Sequence, residues 1–389
     1  MNKFYSYGKQ TIEQDDIDAV VEVLKGDWLT QGPYVKKFEN DLSEKFNAKH
    51  VSAVSNGTAA LHLIGLALGW TKGDIVITTP ITFLASANTI LYSGATPDFV
   101  DIDEETYTLD VIKLEEKILL YRKYGKQLKA VVAVDFAGLP CDWKALRILA
   151  DKYNFQLVND NCHALGAEID GNTGYATQYA DAVAMSFHPV KHITTGEGGA
   201  VLTNNAEIDK KIKMLRTHGM TKDDKLLQKN EGPWYYEMQE LGFNYRITDF
   251  QSALGSSQLS KLDSFVERRN EIASYYKLQF DSDDRFIIPK VKPNTKHAYH
   301  LYPLQIKFDN LKISKIEFFE KMKEKNIILQ VHYIPVHLQP YYKDNFGFKE
   351  GDYPIAENFY KQEISIPMYP ALEDDDLEYI VKTIKELAV

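Results

Sequence analysis

Cysteine is almost missing from this 389-residue chain: Cys141 and Cys162 are the only two, and neither sits in a CxxC or Cys/His spacing. That scarcity excludes a disulfide scaffold and a structural zinc site. Long apolar runs are missing too. None approaches the roughly 18 residues a membrane-spanning helix needs, and the opening MNKFYSYGKQ has no signal-peptide core. The expectation is a cytoplasmic protein with no membrane partner. There is no basic excess: 45 Lys and Arg against 55 Asp and Glu give a net charge of −10 at pH 7. A nucleic-acid partner, which needs a basic face, is therefore not expected, although a local basic pocket for a small anion is compatible with this balance. No GxGxxG follows any strand-like run, which argues against a dinucleotide site. Low-complexity tracts and fixed-period repeats are also absent.

What is present fits a large soluble protein with 44% hydrophobic residues and an aromatic content, 24 Tyr and 19 Phe, suited to deep pockets or broad interfaces. The length predicts one large core and a second, smaller one. Thr11 with Gln14 predicts a capping box for a helix ending near Gly26. A second helix follows Pro33, with Val35, Phe38, Leu42 and Phe46 at helical spacing. An alternation then begins: HVSAV (50–54) into a helix over 58–69, DIVITT (74–79) into 84–93, and PDFVDI (97–102) into 110–124. AVVAVDF (130–136), a helix over 142–153, FQLVND (155–160) and DAVAMSF (181–187) continue it. Short β-branched runs separated by helices predict an α/β fold with a parallel sheet covered on both faces. A long helical stretch over 248–280 closes this part. HLYPLQIKF (300–308), a helix over 314–325, NIILQVHYI (326–334) and a helix over 373–388 predict a smaller α+β unit. The expected domains are 1–265 and 266–389.

Ligands of open parallel sheets gather at the carboxyl ends of strands, and four stretches fall there. In SNGTAALHL (55–63) the chain turns through Gly57 and enters a helix at Thr58. Free amides and a hydroxyl then face one spot, as a phosphate requires; an Asn-Gly turn with a Thr cap explains the same letters. In VNDNCHALGAE (158–168), Asp160 ends an apolar run. It reads as a helix N-cap or as a carboxylate holding a proton on a buried heteroaromatic nitrogen, with His163 beside the same ligand or in a structural hydrogen bond. In ITTPITFLASAN (77–88), Phe83 is a core residue or a flat face for an aromatic cofactor. In SFHPVKHITTGEGGAVLTN (186–204), Lys191 follows Ser186 and precedes a glycine-rich turn. Alone it is a solvated lysine. Beside an anion-binding helix start, an aromatic plate and a buried acid, it is a Schiff-base candidate.

Taken in order, LTQGP, SNGTAALHL, TTPITFLASAN, GATPDFVDID, DNCHALGAE, SFHPVKHITTGEGG, GFNYRITDFQSALG and QVHYIPVH resemble the DegT/StrS family of pyridoxal-phosphate sugar aminotransferases, end to end. The resemblance implies the aspartate-aminotransferase-like architecture, fold type I: a large domain with a mixed, mostly parallel sheet and a smaller C-terminal domain. It implies pyridoxal 5′-phosphate as cofactor, no metal, and Lys191 as the catalytic lysine that holds the cofactor and shuttles a proton. By the same resemblance Asp160 pairs with the ring nitrogen, Phe83 stacks on the ring and His163 lies near the ring hydroxyl. Gly57, Thr58 and Ser186 bind the phosphate, and Asn244 of a neighbouring subunit completes that site, so a homodimer with shared active sites is implied. Within the family the likeness is nearest to the pseudaminic acid branch, which aminates C4 of a UDP-linked 4-keto-6-deoxy-N-acetylhexosamine with L-glutamate as donor. Substrate contacts implied there are Tyr7, the turn Asp27, Trp28, Leu29 and Thr30, then Gly57, Ser186, Asn244, Gln330, Val331, His332 and Tyr333. The alternatives are an aminotransferase for another UDP- or dTDP-keto sugar (bacillosamine, perosamine or 3-amino type) or a sugar dehydratase of the same family. The dehydratases replace the lysine with histidine, so Lys191 favours the aminotransferase.

Overall fold

The computed structural model describes residues 3–389. The apolar runs become strands of one seven-stranded sheet: β1 (His50–Val54), β2 (Ile75–Thr78), β3 (Thr96–Phe99), β4 (Leu128–Val134), β5 (Gln156–Asp160), β6 (Ala182–Ser186) and β7 (Gly199–Thr203). Their spatial order is β1-β7-β6-β5-β4-β2-β3. Neighbours from β6 to β3 run parallel. Only β7 runs against the rest, pairing antiparallel with β1 and β6.

Period-two alternation sorts each strand between two cores. Val131, Ala133, Leu157, Val183 and Met185 face the helices Pro33–Lys45 and Trp143–Tyr153 through Phe38, Leu42, Leu146 and Leu149. Ala130, Val132, Val158, Ala182 and Ala184 face the helices Gly57–Ala67 and Ala206–Leu215 through Leu61, Ile64 and Ile212. Both faces are dry, so the runs read as continuously apolar.

Several local expectations change. The first helix, Gln14–Lys25, is capped by Glu13 with Asp16 and not by Thr11 with Gln14. Asp16 is fixed because it also accepts from Ser257, Gln258 and Lys261 at 2.6, 2.7 and 2.8 Å. The 248–280 stretch is two helices, Asp249–Leu259 and Leu262–Phe280, the first opened by a Thr248/Gln251 capping box. The break falls where Ser260 turns its hydroxyl back onto the Ser257 carbonyl.

The second of these helices joins two cores. Leu262 and Val266 pack under the large sheet, while Ile272, Tyr276 and Phe280 pack in a separate cluster. That cluster covers a three-stranded antiparallel sheet, β8 (Phe286–Ile287), β9 (Tyr302–Ile306) and β10 (Glu363–Ile366). NIILQVHYI does not form a strand. Among the described residues it touches backbone partners singly, Ile327 with Tyr5 and Gln330 with Ser365 on the outer edge of β10. Among the described residues no helix is long and apolar enough to cross a membrane.

Candidate active site

A cavity of about 900 Å³ opens at the carboxyl ends of β5 and β6. One wall starts with the helix Gly57–Ala67. Asn56 caps it by accepting from the Ala59 amide at 2.8 Å, so the cap is Asn56 and not Thr58. The first-turn amides of Gly57 and Thr58 have no intrahelical partner and face the cavity, as an anion site requires. A Cβ on Gly57 would stand 2.9 Å from Ser186 Cβ and 3.2 Å from Cys162 Sγ. Gly199 serves the same loop from below: a Cβ there would lie 2.5 to 2.8 Å from the Asn56–Gly57 backbone. Of the glycines after Lys191, it is Gly199 that lets β7 pass directly against this turn.

Lys191 lies in the turn after β6 and reaches into the cavity. Burial pulls its amine down to about 8, against the opposing influence of Cys162 and Asp160. Its Nζ is 3.3 Å from His300 Nε2. Asp160 closes β5, where Ser86 Oγ donates to its Oδ2 at 2.6 Å and the Cys162 amide donates to Oδ1 at 3.2 Å. The carboxylate keeps lone pairs toward the cavity that it lines.

His163 accepts the Ala137 amide on Nδ1 at 3.3 Å. Burial holds the ring well below its ordinary value, so it is neutral and its proton rests on Nε2, which donates to Tyr333 Oη at 3.1 Å. Phe83 sits beyond β2 with 56% of its surface exposed, and its ring centroid is 6.0 Å from that of Tyr333. It is therefore a cavity wall rather than a core residue. Gln330, Val331, His332 and Tyr333, with Tyr7, form the opposite wall.

Other expected residues lie elsewhere in the single chain. Asn244 pairs its backbone with Thr217, its side chain is exposed, and it does not line this cavity. The 27–30 turn also lies outside the lining; Thr30 bridges Thr248, and the Asp249 amide donates to the Leu29 carbonyl at 3.0 Å. Sequence reasoning passed over Ser86 and His300, though both lie within quoted stretches. The signal for each was position: Ser86 follows Phe83 by one helical turn, and His300 opens HLYPL. A hollow of about 980 Å³ near Asp74, Gln156 and Asp181 lies at the opposite, amino ends of the strands, where ligands of such sheets do not gather.

The residues present fit pyridoxal phosphate. A turn that a Cβ would fill offers unpaired amides, a depressed lysine stands across from a strand-end carboxylate, and an exposed aromatic face borders both.

Comparison with known proteins agrees. The family model described as DegT/DnrJ/EryC1/StrS aminotransferase matches residues 10–385. The UDP-4-amino-4,6-dideoxy-N-acetyl-beta-L-altrosamine transaminase of Campylobacter jejuni (strain 81-176) is 41% identical, over 97% of this chain and 96% of its own. Among solved structures, Helicobacter pylori PseC, an aminotransferase involved in pseudoaminic acid biosynthesis, is 33% identical with a TM-score of 0.89, covering 99% of both chains. A PLP-form of the Streptococcus pneumoniae protein assigned as a sugar aminotransferase is 29% identical with a TM-score of 0.87, over 100% of this chain and 99% of its own.

Proposed function

Because this chain belongs to the DegT/DnrJ/EryC1/StrS aminotransferase family, we propose that it moves the amino group of L-glutamate to C4 of a UDP-linked 4-keto-6-deoxy-N-acetylhexosamine. Its fold is that of the fold-type-I pyridoxal-phosphate enzymes, and it is a pyridoxal-phosphate-dependent nucleotide-sugar aminotransferase. The observation that carries the assignment of the site is one cavity containing Lys191, Asp160 and the open amides of Gly57 and Thr58.

When bound, pyridoxal phosphate supplies an electron sink and a carbon that carries nitrogen between the two substrates. The chain supplies the rest. Lys191 Nζ would hold the cofactor and would serve as the base that moves a proton beside it; a depressed amine suits both roles. Asp160 keeps a proton on the ring nitrogen, and Ser86 holds that carboxylate in place. Phe83 would supply the aromatic face against the cofactor, and neutral His163 would lie beside it. Gly57, Thr58 and Ser186 hold the phosphate, with Asn244 from a second copy of the chain. Tyr7, Gln330, Val331, His332 and Tyr333 contact the nucleotide sugar, and Gly57, Ser186 and Asn244 also border it. The turn Asp27–Thr30 reaches it from a second copy.

A homodimer follows from this reading. Trp28, Leu29, Trp234, Tyr236, Met238 and Leu241 are large apolar side chains exposed in the single chain, and they are the residues this reading would bury against a partner copy. The substrate assignment is supported by the names of the relatives. Its test is to offer glutamate with a panel of UDP- and dTDP-keto sugars and to determine product stereochemistry by NMR. Amination at C4 of the UDP-4-keto-6-deoxy-N-acetyl sugar is expected; turnover confined to a 3-keto sugar would overturn the regiochemistry.

A further inference from the structure

Behind the sugar-side wall the carboxyl of Glu363 is fully buried and makes no ion pair with a described residue. It opens β10, so its side chain and that of Ser365 leave the same face of the strand. Ser365 Oγ lies 2.6 Å from Glu363 Oε1 and 2.8 Å from His332 Nδ1. The His332 amide donates to Glu363 Oε2 at 2.9 Å. His332 itself lines the cavity beside Tyr7, ring centroids 5.1 Å apart, and its Nε2 has no partner among the described residues.

A carboxyl, a hydroxyl and an imidazole in series have two self-consistent proton arrangements. In the first, Glu363 carries a proton on Oε1 and donates it to Ser365 Oγ. Ser365 then donates to Nδ1, and the ring proton sits on Nε2, facing the cavity. In the second, the carboxylate accepts from Ser365, Nδ1–H donates to Ser365, and Nε2 is a bare acceptor. One proton separates them. As Nε2–H leaves to solvent, the serine proton moves to Nδ1 and the Glu363 proton replaces it on Oγ.

We infer that Glu363, acting through Ser365, is a positioning residue that fixes His332 as a hydrogen-bond donor to an oxygen of the bound substrate. The identity of that oxygen rests on reading the cavity as a nucleotide-sugar site; the proton arrangement does not. Burial raises the Glu363 carboxyl, and the Ser365 and His332 hydrogen bonds and the Lys315 charge offset this only in part. Burial also pushes the His332 ring down to about 3, so it is neutral. The groups facing Glu363 are Lys315 from the helix Lys315–Glu324, Tyr107, and His332 and Tyr333; Lys191 faces His332. Lys315 spends its ammonium on the Tyr360 carbonyl at 2.6 Å. With the carboxyl raised to about 8, the donor arrangement is present below that value and lost as pH rises through it.

The test reads the tautomer of His332 by long-range ¹H–¹⁵N correlation in holoenzyme labelled at histidine, the signal being assigned by its loss in His332→Gln. At neutral pH the wild type should carry its proton on Nε2 and move it to Nδ1 in alkaline solution. Glu363→Gln is nearly isosteric, and its amide can donate only toward Ser365, so Nε2–H should persist across the whole range. Ser365→Ala should remove the preference; should that variant fold poorly, Glu363→Gln carries the comparison. In kinetics the KM for the nucleotide sugar should rise about five- to tenfold at alkaline pH in the wild type, the loss of one hydrogen bond, with kcat little changed, and stay flat in Glu363→Gln. A shift of the His332 signal with UDP alone assigns the acceptor to the diphosphate; a shift only with the UDP-sugar assigns it to the sugar. A proton on Nδ1 at neutral pH in the wild type, or a Glu363→Gln variant that titrates as the wild type does, would overturn the inference, whatever the substrate proves to be.

Discussion

The phosphate turn depends on a side chain that is not there. Gly57→Ala would set a methyl 2.9 Å from Ser186 Cβ, a contact that forces the turn apart and costs about 1–3 kcal/mol. Because the shift falls on the amides aimed at the phosphate, cofactor affinity should drop at least about tenfold while the fold persists. Fluorescence titration with pyridoxal phosphate, beside a thermal melt, checks this. Lys191 makes a second residue-level claim. Only the unprotonated amine reacts, and burial lowers this amine to about 8. Covalent capture of added cofactor by the apo chain should therefore speed up with pH and level off above about 8. A rate that kept climbing toward the ordinary lysine range would show that the amine is not depressed.

At the scale of elements, the helix Leu262–Phe280 ties the two cores together through one buried guanidinium. Arg269 donates to the carbonyls of Tyr299, His300 and Met368 at 2.9, 3.3 and 2.8 Å. Arg269→Met would leave those carbonyls without their donor and should cost about 2–4 kcal/mol in urea unfolding; all three bonds come from one nitrogen, Nη1, which a lysine ammonium matches in donor number but not in reach, so Arg269→Lys should recover only part of the loss. Unchanged stability would show that the clamp is dispensable. The strands of the large sheet were legible because β-branched runs buried on both faces carry their own signature, as in AVVAV and AVAM. β10 was not. Its letters, EISI, place a carboxyl and a hydroxyl at buried positions, so alternation suggests a half-exposed strand, and the reason for burying them, His332, lies 31 residues away. NIILQVHYI misleads in the opposite sense, since its β-branched letters serve a segment that leaves the sheet to wall the cavity. Of the site, Lys191, Asp160, Gly57 and Phe83 could be suspected from their places after strands. Ser86 and His300 sit at telling positions, but their partners, Asp160 and Lys191, lie 74 and 109 residues away, so position alone does not say what they touch.

At the scale of the molecule, Asn244 decides whether one chain makes a whole site. In the single chain it is exposed and does not line the cavity, and the proposed dimer assigns it to the partner's phosphate. Lys191→Ala and Asn244→Asp are each expected to be inactive; unfolded and refolded together, they should form heterodimers with one site doubly defective and one intact. Partial return of activity is expected, and no rescue in demonstrated heterodimers would show that Asn244 serves its own chain. The claim beneath all of these is that the cavity at the ends of β5 and β6 holds pyridoxal phosphate on Lys191. Borohydride reduction of the holoenzyme followed by peptide mapping tests it most directly. The pyridoxyl label should appear on the peptide containing SFHPVKHITTGEGG, at Lys191; a label on any other lysine would contradict the account.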